Sequence, residues 1–184
     1  FPTRRSSDLA ATGTFEVGNS RLGLEKGTQL DAGAEWKSGP HKVGMTAFTS
    51  QFGNYLSLQS ADVGAFSAYN PDGLPGYRYE GVRARFVGVE SNAKLRMVGG
   101  QQALWMPNAA HGNLDLELRA DVVRADDLTN NKPMPRIAPM RLGADAVWTR
   151  NAWGARLGFM HAAAQNRVSD NGASPGVTTA ANTL

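Results

Sequence analysis

Cysteine is absent from the sequence. Disulfide frameworks, thiolate metal sites and cysteine nucleophiles are therefore excluded. Long apolar runs are absent too. No stretch approaches the ~18 apolar residues of a membrane-spanning helix, and no apolar segment near the N-terminus reads as a signal peptide. Charge of one sign is scarce: 19 Lys and Arg stand against 16 Asp and Glu, a formal excess of +3. The excess is spread along the chain rather than gathered in a stripe, so nucleic acid is not indicated as a partner. Histidine is rare. His41, His111 and His161 show no ligand spacing and no carboxylate cluster between them, so no metal site is expected among them. No glycine-rich loop follows a strand and opens a helix, as phosphate binding requires. One stretch, GASPG at 172–176, fits the pattern of a hydrolase elbow. It lacks the flanking strand and helix, and Pro175 follows the serine directly, so it reads as a loop. Neither an enzyme nor a cofactor is indicated.

Glycine is plentiful, at 21 residues, and mean hydropathy is −0.36. Composition leaves two readings: a soluble β-rich domain, or a membrane β-barrel whose apolar residues are hidden by alternation. In NLDLELRADVV, Leu114, Leu116, Leu118, Ala120 and Val122 alternate with Asp115, Glu117, Arg119 and Asp121. A period of two over that length is a strand with one apolar and one wet face. Val87, Val89, Ala93, Leu95 and Met97 alternate in the same way with Glu90, Asn92, Lys94 and Arg96. LDAGAEWK, RLGADAVW and WGARLGF repeat the pattern, the second placing Asp145 on the wet side. KVGMTA begins it, and the phase blurs at Phe48 and Phe52, the mark of a bulge or of inward aromatics. The apolar sides are thin, mostly alanines and single leucines. A sandwich needs bulkier side chains to fill its core, whereas lipid needs only an apolar coat. The pattern therefore favours a lipid-facing wall around a wet lumen; a soluble antiparallel sheet with one solvated face is the alternative.

The connections alternate. KSGPH and TRNA are short, while QSADVGAFSAYNPDGLPG and ADDLTNNKPMPRIAP are long. Outer-membrane barrels have short turns inside and long loops outside. GGQQALWMPNAAHGN is longer than an inner turn should be. Trp36, Trp148 and Trp153 flank the short turns, and Trp105 sits in that long third link. Tyr55, Tyr69, Tyr77 and Tyr79 flank a long loop. Two aromatic belts are expected at the two interfaces.

With these residues in view, RLGLEKGTQLDAGAEWKSGPHKVGMTAFTSQFGNYLSL resembles the late barrel strands of TonB-dependent outer-membrane receptors, through Glu25, Lys26, Gly33, Glu35, Phe52, Asn54 and Tyr55. Arg85, Phe86, Gly88 and Glu90 carry the likeness into the next strand. Asp121 and the segment from Pro135-Arg136 to Pro139 carry it further. The resemblance spans roughly residues 17–168, and the subgroup it suggests includes zinc-uptake receptors. It implies an all-β fold: an antiparallel up-and-down meander of about six strands, part of a larger transmembrane barrel of about 22 strands. It also implies a multi-pass barrel in the outer membrane of a Gram-negative bacterium. The implied partners are outer-membrane lipid, a plug domain and, through an N-terminal region, the TonB complex. The cargo would be a small molecule or metal chelate such as siderophore-iron, haem, zinc or vitamin B12.

Residues 1–9, FPTRRSSDL, match no part of such a receptor and resemble one reading frame of a common sequencing-library adapter. They are set aside as an artefact, which leaves residues 10–184 as a fragment of the barrel ending in a long outer loop at TAANTL. Under the resemblance, Tyr69, Asp72, Tyr77, Tyr79, Asp126, Asp127 and Arg136 are the candidate ligand contacts on outer loops. Glu90, Lys94, Arg96, Asp115, Glu117, Arg119, Asp121 and Asp145 should face the lumen and the plug. The expected function is the wall of an active importer; the alternatives are a passive porin-like barrel and a soluble β-sheet binding module.

Overall fold

A computed structural model of the chain describes residues 13–62, 64–108, 110–169 and 180–183. Residues 1–9 and the 172–176 stretch lie outside the described residues. The strands are β1 (Phe15–Val17), β2 (Lys26–Ser38), β3 (His41–Ser60), β4 (Gly76–Val98), β5 (Asn113–Asp127), β6 (Lys132–Pro133), β7 (Arg141–Arg150), β8 (Trp153–Ala162) and β9 (Ala181–Thr183). A 3-10 turn spans Gly64–Tyr69. The long strands form one antiparallel meander in the order β2-β3-β4-β5-β7-β8-β9; β1 pairs with β4 and β6 with β5.

The register carries the alternation across the sheet. Ala34 pairs with Met45, Val43 with Ala93, Ala93 with Leu118, Leu118 with Ala144 and Ala144 with Phe159. Directly opposite residues in a ladder share a face, so one face is apolar from edge to edge. No second layer of the described residues covers it: Leu30 is 69% exposed and Leu157 70%. The other face carries Glu35, Lys42, Lys94, Glu117, Asp145 and Arg156 and is here termed the ionic face.

Short turns gather at one end. Ser38 pairs with His41 across Gly39–Pro40, and Gly39 has φ 51°; a two-residue hairpin with positive φ at its first central position matches the twist of its strands. Arg150 pairs with Trp153 across Asn151, which has φ 51°. The link at 99–112 lies at this turn end and explains its own length. It folds back on β4: Leu104 N donates to Arg96 O (2.9 Å), Gly99 N donates to Met106 O (2.9 Å), and Val98 and Met106 form a parallel bridge. Arg96 N donates to His41 Nδ1 (3.3 Å), so His41 Nε2 carries the hydrogen given to Gln102 O at 2.6 Å. The link thus pairs the edge of β4 beyond the point where β3 begins.

The opposite, loop end departs from simple alternation. A strand of roughly 9–11 residues crosses a bilayer. β7 and β8 have 10 residues each, whereas β3 has 20 and β4 has 23, so the latter two run on past the apolar band. A bulge lies between Phe52 and Tyr55, where Asn54 Nδ2 donates to Leu24 O (3.0 Å) and Glu25 accepts from Leu56 N (2.9 Å). Beyond Phe48 the ionic face turns apolar. Phe52, Tyr55 and Phe86 pack ring on ring with centroids 5.1–5.7 Å apart, against Ala84, Ala125, Met134 and Ile137. Inward aromatics and a bulge are therefore both present. This cluster corrects the expected tyrosine belt: Tyr55 faces inward, and Tyr77 is buried at 4% exposure. The tryptophans keep to the expected pattern, with Trp36, Trp148 and Trp153 all on the apolar face at the turn end. The C-terminal expectation is also corrected. Ala181–Thr183 pairs with Met160–Ala162 as a strand and is not loop.

Met134, 3% exposed, is the residue through which the 128–140 loop is held on the ionic-side cluster. Met134→Ala should cost about 2–3 kcal/mol locally. In the intact receptor, amide exchange should quicken across 128–140 and stay unchanged in β7 and β8. Unchanged exchange in the loop would show that Met134 does not anchor it.

Candidate functional site

The ionic face is a lattice rather than a set of isolated pairs. Glu35 accepts from Lys37 (2.8 Å) and Lys42 (2.6 Å). Lys94 reaches Asp115 (3.2 Å) and Glu117 (3.4 Å), and Arg96 grips Asp115 with two nitrogens. Arg156 bridges Glu117 and Asp145, both at 3.1 Å, while Arg119 reaches Asp145 at 3.0 Å. Arg141 holds Asp121 at 3.0 Å. Charges of both signs thus run from β2 to β8. Apart from Arg96, whose side chain is 20% exposed, the cations are about half exposed, so most single pairs contribute little. Their collective effect is orientation: Lys42, Lys94, Arg96, Arg119, Arg141 and Arg156 are each held by at least one carboxylate on an adjacent strand.

Small residues make room for this lattice. A Cβ on Gly158 would stand 2.2 Å from Asp145 Oδ1, and one on Gly143 would stand 2.5 Å from Arg119 Nε. Gly143 and Gly158 are thus spaces into which the opposite charged side chain lies down.

All eight residues expected to face the lumen share the ionic face, and seven of them are in the lattice. Glu90 sits directly across from Asp121, exposed, with no ion pair among the described residues. The seven candidate loop contacts do not converge. Tyr69 is 71% exposed at the end of the 3-10 turn, and Asp72 is exposed in the next turn. That turn is fixed by Asn70, which bonds Leu74 O (2.8 Å) and Leu74 N (2.9 Å) through its side chain. Tyr79 is 41% exposed, and Arg136 is exposed with φ 62°. The remaining three depart from the expectation of loop-borne, accessible groups. Tyr77 is buried on β4. Asp127, 1% exposed, accepts from Thr129 N and Asn130 N at 2.9 Å and shapes the turn that leaves β5. Asp126 lies on the apolar-side face, paired with Arg167 (2.5 Å) and Arg85 (3.7 Å). Residue type and loop position suggested all three; only the strand register shows that β4 already includes Tyr77 and that β5 continues through Asp126 and Asp127. Sequence reasoning missed the Phe52–Tyr55–Phe86 cluster, whose one signal was the blurred phase at Phe52. Among the described residues no group of three or more His, Asp or Glu side chains is placed to hold a metal ion.

A bare apolar face, a lattice of paired charges on the reverse, and short turns at one end with long loops at the other define a segment of β-barrel wall. The chain belongs to the family described as TonB dependent receptor-like, beta-barrel, whose model matches residues 2–183. Such receptors are transporters rather than enzymes. Among solved structures, the chain is similar to one titled "Copper transporter OprC", with a TM-score of 0.70 at 16% identity over 89% of this chain. That likeness shows the fold. The chain spans 22% of that structure's length. No curated protein matches the sequence. Among the described residues no helix is long and apolar enough to cross a membrane.

Gly158→Ala and Gly154→Ala separate space from glycine content. Both lie on the ionic side of β8, but a Cβ at 154 meets nothing closer than 3.6 Å. In the intact receptor, Gly158→Ala should lower the unfolding midpoint by displacing Asp145 from Arg156. Gly154→Ala should leave the midpoint unchanged or slightly higher. Equal effects would show that the lattice is not tightly fitted around Asp145.

Proposed function

We propose that this chain is part of the outer-membrane wall of a receptor that imports a scarce nutrient by active, TonB-dependent transport. The observation that carries this is the family match over a sheet with one bare apolar face and one ionic face. In this reading the apolar face meets lipid and the ionic face meets a plug domain and water. The lattice from Glu35 to Arg156 gives the wall a polar lining that is already neutralised by its own pairs. A mobile plug could then break and reform contacts without leaving bare charges on the wall.

Exposed Tyr69, Asp72, Tyr79 and Arg136 at the loop end are the residues of this segment placed to meet cargo. The cargo classes proposed are chelated iron, haem or a transition metal such as zinc. The similar structure titled as a copper transporter supports the metal class. TonB would be engaged by a region outside this chain, and the cell would be a Gram-negative bacterium.

Deleting the gene in its host and measuring uptake of iron chelates, haem, zinc and copper tests this. Accumulation of one cargo should fall, and in the wild type that uptake should stop when the proton-motive force is collapsed. Uptake that continues after collapse would indicate a passive pore instead.

A further inference from the structure

The apolar face does not stay apolar to its loop end. Arg85 and Asp126 are direct partners across β4 and β5, and Arg124 is the partner of Val87 on the same face. Arg85 and Arg124 are therefore diagonal neighbours. Arg167 joins them, its guanidinium 2.5 Å from Asp126. Arg83 lies two residues from Arg85 on β4 and donates to Leu128 O (3.4 Å). Two of these arginines, Arg85 and Arg167, share the single carboxylate of Asp126. Arg124 is exposed and makes no ion pair or side-chain hydrogen bond among the described residues; Arg85 reaches Asp126 only at 3.7 Å.

Their surroundings are apolar. Val87, Val89 and Val122 follow directly on the same face, the first two more than a third exposed. Pairing between β5 and β7 stops at Asp121–Arg141, leaving a notch beside the upper part of β5. A cavity of about 220 Å³ occupies it, lined among others by Val122, Arg124, Pro139, Met140 and Arg167. One unpaired guanidinium, Arg124, beside two that share the single carboxylate of Asp126, set above an apolar floor, complements an anionic headgroup carried on hydrocarbon. A guanidinium fork matches phosphate oxygens in pairs, and cations at the edge of an apolar band are attracted to anionic lipid.

We propose that Arg85, Arg124 and Arg167 form a binding site for the phosphorylated headgroup of a membrane lipid, on the outside of the wall at its loop end. Acyl chains would lie along Val87, Val89 and Val122, so the site continues the lipid-facing surface. Asp126 holds Arg167 and Arg85 in place without neutralising the cluster. This rests on the membrane placement proposed above.

The test uses the intact receptor in vesicles of phosphatidylcholine doped with a diphosphorylated lipid A or with its phosphate-free form. Bound lipid is counted by native mass spectrometry after extraction. The wild type should retain the diphosphorylated lipid selectively. Arg85→Gln and Arg124→Gln should each weaken retention roughly fivefold, while Arg78→Gln, on the ionic face, should not. Barrel folding is checked separately by the heat-dependent shift in gel mobility. A folded, inserted receptor without preference for the phosphorylated form would overturn the site and leave the membrane placement intact. Loss of the lipid on adding millimolar inorganic phosphate would also overturn it, by showing a site for the free ion. A receptor that inserts into no vesicle would remove both readings together.

Discussion

Backbone amides and carbonyls in a bilayer have no water to bond to, so a spanning sheet must satisfy them between its own strands. That constraint explains why the long strands here form a continuous antiparallel meander with neighbours in chain order, interrupted only by local bulges and by the notch beside the end of β5. Where strands are paired along their ladder sides, side chains have only two directions to go. A period of two then makes one face apolar and the other charged, with no packed core between layers. The few fully buried residues, such as Ala84, Ala125 and Met134, lie beyond the apolar band, where a loop folds back onto the sheet.

The two faces solve different problems. Lipid requires no shape complementarity, so alanine and isolated leucines suffice on the apolar face. The ionic face must stay ordered without a core behind it, and it does so by cross-strand charge pairing, with Arg156 joining β8 to both β5 and β7. Glycines opposite the charged side chains let them lie along the sheet. The polarity then exchanges at the loop end. Aromatics turn to the ionic side at Phe52 and Phe86, while arginines emerge on the apolar side at Arg85 and Arg124. In the membrane placement proposed above, the place where the exchange occurs would be the limit of the hydrocarbon along β4 and β5.

Much of this was legible because alternation is a local signal. The apolar set from Leu114 to Val122 and its charged complement could be assigned from one stretch of sequence, and the register only confirmed that neighbouring strands agree. What was not legible depended on register changes or on the far ends of strands. The bulge that carries Tyr55 inward arises from one extra residue on β3, where Gly53 and Asn54 stand opposite Arg83 alone, and its fit depends on Leu24 and Glu25. Asp126 and Asp127 looked like loop residues because the sequence turns polar there, yet β5 runs through both. The 99–112 link looked too long for a turn because its bonds to β4 and His41 are tertiary. The short strand at Ala181–Thr183 has too few residues to show a period.

The central claim is that consecutive residues of β5 face different solvents. Because the described chain contains no cysteine, single cysteines can be placed from Leu116 through Ala120 in the receptor, provided the rest of the receptor is also free of reactive thiols. Spin labels at these sites in liposomes would report access to oxygen, which favours lipid, and to a polar nickel chelate. Labels at 116, 118 and 120 should favour oxygen, and labels at 117 and 119 should favour the chelate or be shielded from both. A flat profile with all five sites open to the chelate would contradict the account, because β5 would then be an ordinary wetted strand.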